Sequence, residues 1–97
     1  MYKVAILLST FNGEKFIKDQ LKSLRNQKKV KIKLFIIDDG STDNTLKIIK
    51  NFSIPKKIFK TKNFHNPVKN FLYLIDKVPR NFDFYCFADQ DDYWIPS

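Results

Sequence analysis

The chain has 97 residues, 43% of them hydrophobic and 15% aromatic, with a formal net charge of +8 at pH 7. That length holds one compact domain or part of a larger one, and the composition excludes an intrinsically disordered chain. A single cysteine, Cys86, excludes an internal disulfide framework and a cysteine-based zinc cluster.

The positive charge comes almost wholly from lysines scattered along the chain, and no run of them resembles a nucleic-acid-binding tail. Such a balance implies polyanionic company (a phosphorylated substrate, an anionic membrane surface or nucleic acid) or serves solubility alone.

Val4-Ala5-Ile6-Leu7-Leu8 is an apolar run too short for a membrane span or a signal sequence, so a reducing, cytosolic location is expected. Bounded by polar residues, it reads as a strand buried on both faces. Ile17, Leu21 and Leu24 then recur at helical spacing, with Lys18, Lys22 and Arg25 on other faces. Leu34-Phe35-Ile36-Ile37 reads as a second buried strand. Ser41, Thr42 and Asp43 offer capping oxygens ahead of Leu46, Ile49 and Phe52, which share a helix face. Lys57-Ile58-Phe59-Lys60 alternates as a shorter, partly exposed strand does. Asn66-Pro67 makes a good helix start, followed by Val68, Phe71, Leu72 and Ile75 as the predicted inward stripe. The stretch from Phe82 to Ala88 is the fourth strand, with Cys86 expected as a buried structural thiol.

Strands alternating with helices call for an α/β fold, a mostly parallel Rossmann-like sheet with flanking helices and right-handed crossovers. Ligands bind such sheets outside the carboxyl ends of the strands. Three polar loops leave those ends: Ser9-Thr10-Phe11-Asn12-Gly13-Glu14, Asp38-Asp39-Gly40-Ser41-Thr42-Asp43, and Asp89-Gln90-Asp91-Asp92. Five of the ten acids, Asp38, Asp39, Asp89, Asp91 and Asp92, thus sit directly at two strand ends of a basic chain. Clustered carboxylates repel one another unless a cation compensates, and hard cations such as Mg²⁺ and Mn²⁺ favour oxygen ligands shared with phosphates. Each acidic loop taken alone also reads as a turn, a helix cap or a solvated strand end.

In order and spacing, these three segments, extended through Asn44-Thr45 and Tyr93-Trp94, resemble the opening motifs of glycosyltransferase family 2. The last one, with Asn70-Phe71-Leu72-Tyr73-Leu74 ahead of it, is similar to bacterial rhamnosyltransferase-type members. The resemblance implies the amino-terminal, nucleotide-sugar-binding half of a GT-A fold spanning residues 1–97. It implies transfer of a sugar from a UDP- or dTDP-linked donor to a glycan or lipid-linked acceptor, with Mn²⁺ or Mg²⁺ as cofactor. The setting would be bacterial surface polysaccharide synthesis at the inner face of the cytoplasmic membrane, with peripheral contact to anionic lipid and no nucleic acid.

By position, Thr10 and Glu14 resemble residues lining the nucleoside pocket, with Asn12 nearby. Asp39 looks like the carboxylate that accepts from the base, with Asp38 beside it. Asp89-Gln90-Asp91 is similar to the family D-x-D, with Asp89 towards the ribose and Asp91 and Asp92 as candidate metal ligands. The resemblance puts the acceptor pocket and the catalytic base beyond Ser97, so this chain alone is expected to bind a donor without transferring sugar. An open edge on the fourth strand would favour self-association. The family's loop after the third strand often carries Gly and Ser; this chain reads Phe64-His65-Asn66-Pro67 there. His65 reads as a surface or capping residue, Lys62 and Lys69 as solvated lysines, and Tyr93 and Trp94 as packing around the acidic loop. A catalytically inactive nucleotide-binding remnant and an α/β interaction module stay open as alternatives. A dinucleotide-binding domain is disfavoured, since G-x-G-x-x-G is absent and the chain has two glycines.

Overall fold

Among the described residues, four strands and three helices follow one another in strict alternation. A computed structural model describes residues 1–59 and 62–89, the last by its backbone alone. Strands β1 (Tyr2–Thr10), β2 (Val30–Asp38), β3 (Lys56–Phe59) and β4 (Phe84–Asp89) are linked by helices α1 (Glu14–Arg25), α2 (Thr45–Asn51) and α3 (Pro67–Lys77). The sheet order is β3-β2-β1-β4 and every pairing is parallel.

This order has a direct consequence for the site. The chain steps from β1 to β2 to β3 in one direction, then crosses back to lay β4 on the other side of β1. Crossovers of a single hand must put helices that travel in opposite directions on opposite faces. Accordingly, Ile17, Leu21 and Leu24 of α1 and Ile49 of α2 pack with Val4, Ile6, Leu8, Leu34 and Ile36 on one face. Leu74 and Val78 pack with Ala5, Leu7, Phe35 and Ile37 on the other, beneath α3. The reversal falls between β1 and β4, and the crevice at their carboxyl ends is the expected ligand position.

β1 is the spine of both cores, with Ala5, Ile6, Leu7 and Leu8 almost wholly buried. Its strand runs beyond the apolar stretch at both ends, because Tyr2, Lys3, Ser9 and Thr10 continue the ladder with β2. Likewise β2 begins at Val30, in an alternating Val-Lys-Ile-Lys segment whose lysines are exposed. β3 ends within the described residues at Phe59, and Lys60 of the predicted strand lies outside them. Cys86 is free and half-buried rather than fully buried, packing at the margin of the α1-side core. Among the described strands β4 pairs with β1 alone.

Helix α3 starts as predicted, with the Asn66 side chain accepting from the Val68 and Lys69 N–H groups at 2.9 and 3.2 Å. Its inward face, however, is not the predicted one. Val68 and Leu72 are 64% and 62% exposed, whereas Asn70 and Leu74 are 1% and 0% exposed. Phe71 and Ile75 are half-buried at the margin. The buried row at i and i+4 contains a polar residue, so hydropathy alone favours the neighbouring, wholly apolar row. Asn70 is tolerated inside because its amide donates to the Ser9 hydroxyl at 3.0 Å.

The two rows should respond differently to truncation. Leu74→Ala is expected to cost about 2–5 kcal/mol of stability, and Leu72→Ala to stay within about 0.5 kcal/mol, in chemical denaturation.

Candidate functional site

At the carboxyl ends of β1 and β2, the loops that lead into α1 and α2 are tied to each other by side chains. The centre is Asp38, 5% exposed at the end of β2. Its Oδ1 accepts from the Thr10 hydroxyl at 2.7 Å and the Ser41 hydroxyl at 2.6 Å, and its Oδ2 from the Ser41 N–H at 2.8 Å. Bonds from neutral donors to a carboxylate are the stronger kind, and here they compensate a charge with no cation among its described partners. Both oxygens of Asp38 are engaged by these contacts.

The ties continue outward. The Asn12 N–H donates to Ser41 Oγ at 2.8 Å, and Asn12 Oδ1 accepts from the Thr42 N–H at 2.8 Å. Gly13 donates its N–H to Thr45 Oγ1 at 2.8 Å. The Glu14 N–H donates to Asp43 Oδ2 at 3.1 Å, and Glu14 Oε1 accepts in return from the Asn44 N–H at 2.8 Å. Side chains of each loop therefore satisfy the backbone of the other. Neither helix has a side-chain cap from its own N-cap residue, Gly13 or Asn44; the facing loop serves the Gly13, Glu14 and Asn44 N–H groups, while Asp43 Oδ1 accepts from the Thr45 N–H within its own loop at 2.9 Å. For Asp43, the hydrogen bond from the Thr45 hydroxyl, helped by backbone N–H groups, holds the carboxyl below its ordinary 3.8. A depressed carboxyl contributes stability that is present above that value and lost as pH falls through the folded value. Acid unfolding followed by circular dichroism should accordingly lose part of its dependence below pH 3.8 in Asp43→Asn.

Asp39 is placed differently from its neighbour. It is 6% exposed, and its N–H donates to the Thr10 carbonyl at 2.8 Å, extending the β1–β2 ladder by one step. Its Oδ1 accepts from the His65 N–H at 3.1 Å, and no hydrogen bond reaches Oδ2 among the described residues. Asp39 thus offers a fixed carboxylate with an unused acceptor. The β3–α3 loop reaches it in an uncommon conformation, with Asn63 and His65 at φ +53° and +52°. Asn12 at +47° and Gly40 at +89° share that left-handed region at the same rim. Non-glycine residues held there cluster at functional sites. The His65 side chain is exposed, and its backbone is what serves Asp39.

Of the predicted site residues, Thr10, Asn12, Glu14, Asp38 and Asp39 come together at this rim. Asp89 ends β4 beside them, its Cα opposite Ser9 of β1. Asp91 and Asp92, like Tyr93 and Trp94, lie outside the described residues. Among the described residues no three His, Cys, Asp or Glu side chains converge to hold a metal ion. Lys62 rests over the Tyr73 ring at 5.2 Å, and the Lys69 side chain is exposed. Sequence reasoning did not bring Ser9 and Asn70 together; Asn70 is 1% exposed, and its Oδ1 has no hydrogen-bond partner among the described residues. A polar residue recurring inside an otherwise apolar helix was the available signal.

Comparisons with known proteins agree with this architecture. The family model described as "Glycosyl transferase family 2" matches residues 5–97. The dTDP-rhamnosyl transferase RfbG of Shigella flexneri is 46% identical over 93 residues, covering 90% of this chain and 32% of RfbG. The chain therefore spans about a third of that curated relative's length. The crystal structure of Staphylococcus aureus TarS 1–349 in complex with UDP-GlcNAc superposes with a TM-score of 0.83 at 29% identity, covering 94% of this chain and 27% of that one. The mannosyltransferase PcManGT of Pyrobaculum calidifontis, in complex with GDP-Man and Mn²⁺, shares the fold at a TM-score of 0.82 and 14% identity, covering 94% of this chain and 28% of its own. With the sheet order, the acidic rim and the sequence match in agreement, this chain belongs to glycosyl transferase family 2.

Proposed function

We propose that residues 1–97 form the nucleotide-sugar-binding portion of a glycosyltransferase catalytic domain, and that the carboxyl rim of the sheet takes the donor. The observation that carries this reading is Asp39, buried and oriented by the His65 N–H, with Oδ2 unused. A carboxylate accepts but does not donate, so it suits the imide N–H of a uracil or thymine base. Thr10, Asp38, Asn12 and Glu14 serve the pocket by fixing the two loops around it. We assign Asp89, whose Cα lies opposite Ser9 at the β1–β4 reversal, to the ribose end of the donor. Both UDP- and dTDP-linked sugars present such a base, and the 46% identity with a dTDP-rhamnosyl transferase supports this donor class.

The candidate ligands for a metal are carboxylates, the oxygen donors that Mn²⁺ or Mg²⁺ requires, and Asp38 is engaged at both oxygens in tying the loops. We assign Asp91 and Asp92 as its ligands. Such a cation neutralises the diphosphate leaving group. In the whole protein, a hydroxyl of a glycan or lipid-linked acceptor attacks the sugar carbon as its bond to the diphosphate breaks, and a base takes the hydroxyl proton. The setting that fits is bacterial surface polysaccharide synthesis, at the cytoplasmic side of the membrane. Self-association through the open β4 edge belongs to the same reading.

Titrating UDP and dTDP with and without Mn²⁺ tests it, and a folded sample that shows no metal-dependent binding would contradict it. Asp39→Asn is expected to weaken nucleotide binding about 10- to 100-fold with little change in stability, the loss of one charged hydrogen bond. Asp38→Asn is expected to cost roughly 1.5–3 kcal/mol of stability, read by denaturation, because it weakens the tie between the loops. If Asp39→Asn binds as tightly as the native chain, the assignment of the base-reading carboxylate fails.

A further inference from the structure

The opposite end of the sheet carries a second feature with its own chemistry. Lys3 and Lys31, second residues of β1 and β2, are direct partners in the parallel ladder, and Lys33 follows two positions on, opposite Ala5. Alternation puts Lys31 and Lys33 on one face. All three are exposed, and with Phe35, Asn81 and Phe82 they line a groove of about 350 Å³ beneath the α3–β4 connection. Its apolar wall is the edge-to-face pair of Phe35 and Phe82, ring centroids 5.6 Å apart. The Lys3 ammonium lies 5.5 Å from the Phe82 ring and that of Lys33 5.5 Å from the Phe35 ring, while Lys31 has neither ring nor acid among its described contacts.

Like charges placed opposite each other across two strands repel, and no ion pair to any of the three exists among the described residues. The nearest acid, Asp83, directs Oδ2 to the Lys3 backbone N–H at 2.7 Å. One carboxylate against three ammonium groups leaves the groove net positive over an aromatic wall. The ring faces stabilise two of these cations in place by a modest amount and do not neutralise them. The groove is separated from the carboxyl rim by roughly 20–25 Å of strand, so it is not part of the donor site.

We propose that this groove binds phosphate esters. The ammonium groups of Lys3, Lys31 and Lys33 receive the phosphate oxygens, and the Phe35–Phe82 wall meets the less polar part of the ester. A phospholipid headgroup and a soluble phosphorylated glycan share this chemistry. The inference stands independently of the nucleotide assignment, because it concerns the amino-terminal end of the strands.

The test uses the native chain and the double variant Lys31→Gln/Lys33→Gln, whose altered side chains are exposed and whose fold should be unchanged. Inorganic phosphate is titrated at constant ionic strength while backbone amide resonances are followed. In parallel, sedimentation is measured with vesicles of phosphatidylcholine alone and with added phosphatidylglycerol. Saturable shifts at Lys3, Lys31, Lys33 and Phe82, weakened about tenfold in the double variant, support a site for soluble phosphate esters. Retention only on the anionic vesicles, lost to the same degree in the variant, supports it with a lipid headgroup as the source. Binding of either probe that is unchanged in the double variant, or no response to both, overturns the proposal. UDP titrations of the two proteins should coincide, which separates a failure here from a failure of the donor reading.

Discussion

A buried carboxylate without a cation is costly unless its oxygens find donors; Ser41 serves both oxygens of Asp38, and the Thr10 hydroxyl adds a second bond to Oδ1 that joins the two loops. Thr10 arrives from the end of β1 and Ser41 from the turn after β2, and each brings the rest of its loop with it. Asn12, Gly13, Glu14, Thr42, Asn44 and Thr45 then exchange bonds across the seam. Asp39 inherits its place from this arrangement, one residue past the node and steadied by the third loop through His65. A site built this way is organised before a ligand arrives, so less of the binding free energy goes into ordering the loops.

The topology also sorts charge. Glu14, Asp38, Asp39, Asp43 and Asp89 all fall at the carboxyl ends of strands or the first turn of a following helix. Lys3, Lys31 and Lys33 fall near the opposite ends of β1 and β2. One molecule of net charge +8 thus presents an acidic rim at one end and a basic groove at the other. Carboxylates and lysines are thereby separated to opposite ends of the same sheet. The overall charge alone would have hidden this division.

Much of the fold was legible because β1, β2 and α1 announce themselves by unbroken apolar runs or a clean helical period. The rim was legible because strand ends in a parallel sheet are where ligands bind, and three polar loops stood there. Other features were not. The strand termini at Tyr2, Lys3, Ser9 and Thr10 are polar and join the ladder only because β2 continues beside them. The face of α3 was misread because its buried row holds Asn70, whose partner Ser9 lies 61 residues earlier. Asp43 read as a helix cap, and it does accept from Thr45, but it also holds the Glu14 N–H from 29 residues away. Local pattern carries no record of such distant partners. The separate duties of Asp38 and Asp39, adjacent and chemically identical, emerged only once their hydrogen bonds could be traced.

The site depends on one condition, that the loops of the carboxyl rim are locked together in the ligand-free protein. Native-state hydrogen exchange at the Asn12, Gly13, Ser41, Thr42 and Asn44 amides, all donors to side chains across or within the seam, tests it most directly. These loop amides are expected to show protection approaching that of the β1 and β2 ladder. Exchange at the rate of open loops, while the ladder stays protected, would contradict it.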